Sequence, residues 1–280
     1  MTTLCEAALI VLNTVDAQEK CRLTRDFYVR WQGGEIAKIG LASPPDRPAR
    51  PDKPALLLPT QMPKRGGGGN ASNKTALLHA LAHIELNAVD LAWDILARFS
   101  PLAQENGGNE DGFALPKAFY DDWIKVAEDE AKHHMMIEER LNALGASYGD
   151  LPAHDGLWEA SEKTAHDFPA RLAIVPMVLE ARGLDVTPNM IAAMKEQGDG
   201  ETAQMLQVIH DDEITHVRAG TVWFESWCAH YGLDVETHFQ SLVRAYFSGL
   251  LKRPFNHPSR AQAGMIRDWY EPLAEALKSA

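Results

Sequence analysis

The chain has 280 residues, 45% of them hydrophobic and 24% charged, with a formal net charge of -12. That composition suits a globular protein with a sizeable core, and the acidic balance argues against a general nucleic-acid or anionic-membrane surface. Cys5, Cys21 and Cys228 are scattered with no Cys-x-x-Cys pair, so they supply neither a disulfide framework nor a thiolate metal site and point to a reducing cytoplasm.

In chain order, residues 2–31 predict one or two amphipathic helices, with Leu4, Ala8, Val11, Leu12 and Val15 at helical spacing. The apolar run Leu4–Leu12 is short, interrupted by Glu6 and preceded by no basic residue. It does not read as a signal peptide, and no segment is long enough to span a bilayer. Between Gly40 and Gly69 the prolines 44, 45, 48, 51, 54, 59 and 63 preclude regular helix and Gly66–Gly69 form a flexible run, which predicts a linker or an extended strap.

A long helix is expected from a cap at Ser72 or Asn73 to about Arg98. After a Gly-rich loop, a second runs from about Pro116 to Leu144, with Gly145 as its stop. The connection to Phe168 has room for a short helix around Trp158. A third helix is predicted over Pro169–Arg182, kinked at Pro176 and ended by Gly183, after which Thr187-Pro188 opens a short extra helix. Asp199 caps a fourth, Gly200 to Tyr231, before Gly232. Residues 235–251 and 260–278 read as peripheral helices around an irregular Arg253–Ser259. The expected organisation is an N-terminal part (1–70), a four-helix bundle (71–232) and C-terminal helices (233–280), all within one globular unit.

The informative anomaly lies on the inner faces of the four long helices. Neighbours at three, four and seven positions share a helical face. Around Glu85 they are Leu78, Leu81, Ala82, Ala88, Val89 and Ala92, all apolar. Glu130 sits among Trp123, Val126, Ala127 and Ile137, Glu180 among Ala173, Pro176, Met177 and Leu184, and Glu213 among Leu206, Ile209, Val217 and Gly220. Two of these glutamates open Glu-x-x-His steps, Glu130 to His133 and Glu213 to His216. At that spacing a carboxylate and an imidazole project from one side and can chelate one ion. Each half of the chain thus supplies a lone glutamate followed by a Glu-x-x-His. Burying such groups without metal would cost several kcal/mol per unpaired charge.

The predicted ligands are therefore Glu85, Glu130, His133, Glu180, Glu213 and His216, the donor set of a dinuclear carboxylate bundle. Four carboxylates neutralise two divalent cations, and mixed nitrogen and oxygen donors suit iron, with manganese as the alternative. His210 and His134 read as satisfied core histidines, with extra ligands or partners behind the ligands as the alternative. His79 and His83 face away from Glu85 and read as peripheral. Asp129 and Asp212 either orient histidines or sit at the surface, and Trp93, Trp123, Trp158 and Trp223 read as core packing.

These residues, with Leu78-His-Ala-Leu-Ala-His-Ile-Glu85, Leu179-Glu-Ala-Arg-Gly-Leu-Asp185, Asp212-Glu-Ile-Thr-His-Val217 and the late Pro254-Phe-Asn256, Arg260 and Ala263-Gly264, resemble the ferritin-like superfamily. More narrowly, they resemble the bacterial family catalogued as domain of unknown function four-five-five. The resemblance implies an all-α, ferritin-like four-helix bundle with a carboxylate-bridged di-iron or related site. Superfamily relatives include di-iron monooxygenases, among them a hydroxylase of modified tRNA, as well as ferroxidases and rubrerythrins. The expected activity is oxygen-dependent oxidation or hydroxylation of a small or tRNA-linked substrate. Dioxygen or peroxide is the co-reactant and a separate reductase the electron donor, because no rubredoxin-type Cys module is present. The alternatives are a ferroxidase or iron-handling protein and a peroxide-consuming dimanganese or mixed-metal enzyme. The expected location is the cytoplasm, with no membrane partner, and a homodimer is allowed.

Overall fold

The computed structural model describes residues 2–62 and 71–274. The Gly66–Gly69 run and the last residues of the expected C-terminal helix lie outside them. Among the described residues every element is helical and the extended pairings are isolated bridges. The chain divides into two compact units, residues 1–159 and 160–280.

The first unit opens with α1, Leu4–Leu12, started by a capping box in which Thr3 and Glu6 satisfy each other's backbone N–H groups at 3.2 and 2.8 Å. Leu4, Ala8, Val11 and Leu12 are buried as their spacing predicts, but Val15 lies beyond the helix and is 52% exposed. Asp16 then caps α2, Ala17–Gln32. α3, Ala71–Arg98, already runs at Ala71, ahead of the cap expected at Ser72 or Asn73. α4, Lys117–Ala143, begins after Pro116 and gives way to Gly145, whose φ of 76° only glycine adopts freely. α3 and α4 pack along their lengths, with α1 against α3 and α2 against α4.

The Pro-rich strap is held by backbone bonds. Ala49 N–H donates to Leu12 at 2.7 Å, and residues 55–57 pair with Ala153 at 3.0 and 2.8 Å. Lys20 of α2 is buried beside Asp90 of α3, and Arg50 of the strap approaches the same carboxylate at 3.6 Å. The short helix α5, Gly156–Lys163, includes Trp158, whose indole N–H donates to the Asp46 carbonyl at 3.0 Å.

In the second unit, Asp167 caps α6, Phe168–Ile174. A π-helical segment, Val175–Glu180, follows and leads directly into α7, Ala181–Glu196. This corrects two expectations. Gly183 does not stop the helix, since its φ is not positive, and Pro188 lies inside α7 instead of opening a new helix. At Pro176 the π turn absorbs the missing N–H by changing the hydrogen-bond register. At Pro188 the carbonyl of Leu184, deprived of its helical donor, receives the Asn256 side-chain amide at 3.0 Å. α8, Gly200–Tyr231, runs from its Asp199 cap to Gly232 as predicted. Gly220 lets it approach the π segment closely, because a Cβ there would meet Pro176 Cγ at 2.5 Å.

After α8 the chain forms α9, Val235–Tyr246, shorter than expected. Within its described part, the helix predicted over 260–278 is instead α10, His257–Gln262, and α11, Arg267–Tyr270, with a 3-10 turn at Glu271–Leu273. Gly264, at φ 84°, breaks the run and lies against Thr221. The fold class is all-α and ferritin-like. α3 and α4 in one unit, and α6–α7 and α8 in the other, are the long helical segments of such a bundle; α5 lies in the connection between α4 and α6, and the other shorter helices are additions at either end.

Candidate metal centre

In the first unit the donors sit at the middle of α3 and α4. Glu85 is 3% exposed, and Glu130 and His133 are fully buried. The apolar stripe around Glu85 is closed by Leu78, Ala82, Ala88, Val89 and Ala92, all buried. One ligand atom each from Glu85, Glu130 and His133 lies within 4.8 Å of the others. His133 Nδ1 stands 3.2 Å from Glu85 Oε2 and 3.6 Å from Glu130 Oε2. Burial, then the nearby Glu130 carboxylate, pushes the Glu85 carboxyl above the usual carboxylate range, against the pull of His133. Two carboxylates and an imidazole held this closely in apolar surroundings are a donor set for a metal cation, which would relieve the like-charge conflict that burial creates.

In the second unit Glu213 and His216 lie on one face of α8, with His216 Nδ1 3.6 Å from Glu213 Oε2. His216 is fully buried and Glu213 is 9% exposed. Glu213 Oε2 has no hydrogen-bond donor among the described residues. Glu180 is the last residue of the π segment and is half-buried. π turns recur at functional sites because they re-aim one side chain without ending the helix.

The neighbouring histidines divide by what they touch. His134 Nδ1 is 2.8 Å from the Ala82 carbonyl, so this nitrogen carries the proton and donates. Its ring meets Tyr148 edge-on at 5.2 Å. His210 Nε2 lies 3.3 Å from the Ser259 hydroxyl. His79 and His83 face away from Glu85 as expected, but they are not peripheral: they are 1% and 5% exposed. Gly149 and Leu151 N–H groups donate to His79 Nε2 at 2.9 and 3.3 Å, and His83 Nδ1 meets the Tyr148 hydroxyl at 2.8 Å. The loop of residues 148–154 covers the far side of α3, which helical periodicity cannot reveal. Burial, then Arg50, lowers the His83 pKa to about 3, so its ring stays neutral.

Asp129 is buried and held by Lys125 at 2.5 Å and Lys132 at 3.0 Å. Trp93, Trp123, Trp158 and Trp223 are all buried, as core packing predicts. Sequence reasoning missed the roles of Tyr148, Asp185 and Ser259. For the last two, the Pro254-Phe-Asn256 motif and Arg260 were the available signal.

An "Uncharacterized protein" of Haemophilus influenzae is 39% identical over 280 residues, covering 96% of this chain and 93% of its own length. No solved structure matches the chain. The family model described as "Protein of unknown function (DUF455)" matches residues 13–271. With nearly the whole chain matched and the ferritin-like helices and buried carboxylates in place, the protein belongs to this DUF455 family of the ferritin-like superfamily.

Proposed function

We propose that Glu85, Glu130, His133, Glu180, Glu213 and His216 together hold two transition-metal ions, iron or alternatively manganese, and that the protein is an oxygen-dependent oxidoreductase. The observation that carries this reading is the buried grouping of Glu85, Glu130 and His133. Carboxylate charge of this kind, sunk in an apolar stripe, destabilises a fold unless a cation neutralises it. The second Glu-x-x-His step supplies an equivalent pair of donors on α8. Two bound ions would supply electrons to dioxygen or peroxide and so permit oxidation of an organic substrate.

The chain's own residues have three tasks in this reading. The carboxylates set the charge and bind through oxygen, the imidazoles bind through nitrogen, and the apolar neighbours keep bulk water away. Electrons come from a separate reductase, because Cys5, Cys21 and Cys228 are buried singly and form no redox pair. Free thiols also fit a cytoplasmic setting, and no described helix is long and apolar enough to cross a membrane.

The test begins with elemental analysis of native protein and of protein reconstituted anaerobically with ferrous iron, where two ions per chain are expected. Mixing the ferrous protein with oxygen in a stopped-flow spectrophotometer should then oxidise both irons. Bound ferrous iron that oxygen leaves unoxidised would sink the oxidoreductase reading. Oxidation that repeats with each addition of ferrous iron, with no reductant or substrate supplied, would assign the protein as a ferroxidase.

A further inference from the structure

The hydrogen bond from Asn256 to Leu184 belongs to a larger arrangement. The backbone N–H of Asn256 donates to Asp185 Oδ1 at 2.8 Å. Arg260 binds the same carboxylate through two bonds, of 2.9 and 2.7 Å. Its guanidinium also donates to the carbonyl of Ala181 at 3.3 Å, the residue directly after Glu180. Arg260 is 2% exposed and Asp185 5%, and the guanidinium lies 4.9 and 4.6 Å from the ring centroids of Phe255 and Tyr270. A planar fork held by a bidentate carboxylate and two rings has little freedom to move. One residue earlier, Ser259 meets His210 Nε2 at 3.3 Å, one turn before Glu213. The segment from Asn256 to Arg260 therefore grips both helices that carry the donors of the second unit.

We infer that Asn256, Ser259 and Arg260 are positioning residues for metal binding: they fix the backbone beside Glu180 and the turn of α8 that leads to Glu213. The inference rests on the dinuclear reading for what is positioned. Repair of the helix at Pro188 needs only the Asn256 amide. Arg260 and Ser259 act elsewhere, at the carbonyl next to Glu180 and on the turn before Glu213. Groups behind metal ligands typically set affinity by about ten- to hundredfold.

The test uses the full-length protein, a Co2+ titration followed by visible absorption, and hydrogen–deuterium exchange of the metal-free form. Ser259→Ala should lower the metal-free melting temperature modestly, by orphaning His210 Nε2, so Co2+ binding is compared at a temperature where both proteins are fully folded. The variant should weaken at least one Co2+ step by about tenfold and alter the visible bands of the bound ion, and Ser259→Thr should restore both. Arg260→Lys should raise amide exchange across residues 175–184, with Asn256→Ala as the substitute should that variant fail to fold. Wild-type Co2+ affinity and spectrum in Ser259→Ala, with unchanged exchange in Asn256→Ala, would overturn the inference. A wild-type protein that takes up no Co2+ would refute the dinuclear reading itself. In that case the positioning role for metal falls with it, whatever the exchange at residues 175–184.

Discussion

At Glu130, binding and stability pull in opposite directions. The carboxylate is fully buried beside Glu85, where a second negative charge opposes folding unless a cation is present. Glu130→Ala should therefore lose metal, measured by elemental analysis, while keeping its helical circular dichroism. The metal-free variant should melt at or above the metal-free wild type. Glu213→Ala should likewise lose metal. His79→Ala should do the reverse. Its Nε2 is taken by two backbone donors at 2.9 and 3.3 Å, so removal should spare the metals but cost about 1–3 kcal/mol in urea denaturation through two orphaned N–H groups. A full metal complement in both glutamate variants, with an empty site in His79→Ala, would invert the assignment of helical faces. Periodicity singled out the six candidate ligands, and burial bears out its reading of Glu85, Glu130 and Glu213 as carboxylates on core faces, while Glu180 is half-buried. The same periodicity misjudged His79 and His83. It tells which way a side chain points but not what lies on that side, and the covering loop around Tyr148 is far away in sequence.

Among the elements, α4 and α8 follow the sequence closely because their boundaries and apolar spacing agree, and α3 begins slightly ahead of its expected cap. α7 departs from its pattern because a tertiary contact overrides a local signal. Gly183 and Pro188 read as a stop and a restart, yet the helix continues because Asn256, distant in sequence, donates where Pro188 cannot. A double-mutant cycle can isolate that exchange. Asn256→Ala should destabilise by about 1–3 kcal/mol, as expected for a buried carbonyl left without a donor. In a Pro188→Ala background the new N–H serves Leu184 directly, so the same change should cost less, with a coupling of at least about 0.5 kcal/mol. The other bonds of Asn256 cancel in the cycle, and strict additivity would show that Pro188 and Asn256 act independently. A second tie, between α2 and α3, is the buried Lys20–Asp90 pair. Lys20→Met should cost about 3–5 kcal/mol by leaving Asp90 a buried charge, at the low end because Arg50 remains 3.6 Å away. Lys20→Met with Asp90→Leu should recover most of the loss, since Arg50 keeps Asp155 at 2.9 Å and Asn87 at 2.6 Å. Equal destabilisation of the single and double variants would mean that the pair contributes attraction and not merely mutual neutralisation.

For the whole molecule, part of the net charge of -12 lies in interior carboxylates, so stability and metal occupancy are linked. A ligand that binds only the folded state stabilises it in proportion to the logarithm of its free concentration. The slope of that relation counts the ions. Two ions bound together should add about 2.7 kcal/mol for each tenfold rise in free metal above saturation, against about 1.4 kcal/mol for one. Urea denaturation of the metal-free chain across a series of buffered Mn2+ concentrations, with oxygen excluded, reads this slope without requiring a substrate or a reductase. Calcium should give little stabilisation over the same range, because the two imidazoles are poor donors for it and its preferred ligands are all oxygen. A slope near the single-ion value would leave one Glu-x-x-His step without an ion and reduce the proposed dinuclear centre to a mononuclear one. Equal stabilisation by calcium and manganese would show that the carboxylates alone attract the cation. The histidines would then be core residues, and the case for redox chemistry would fail with them.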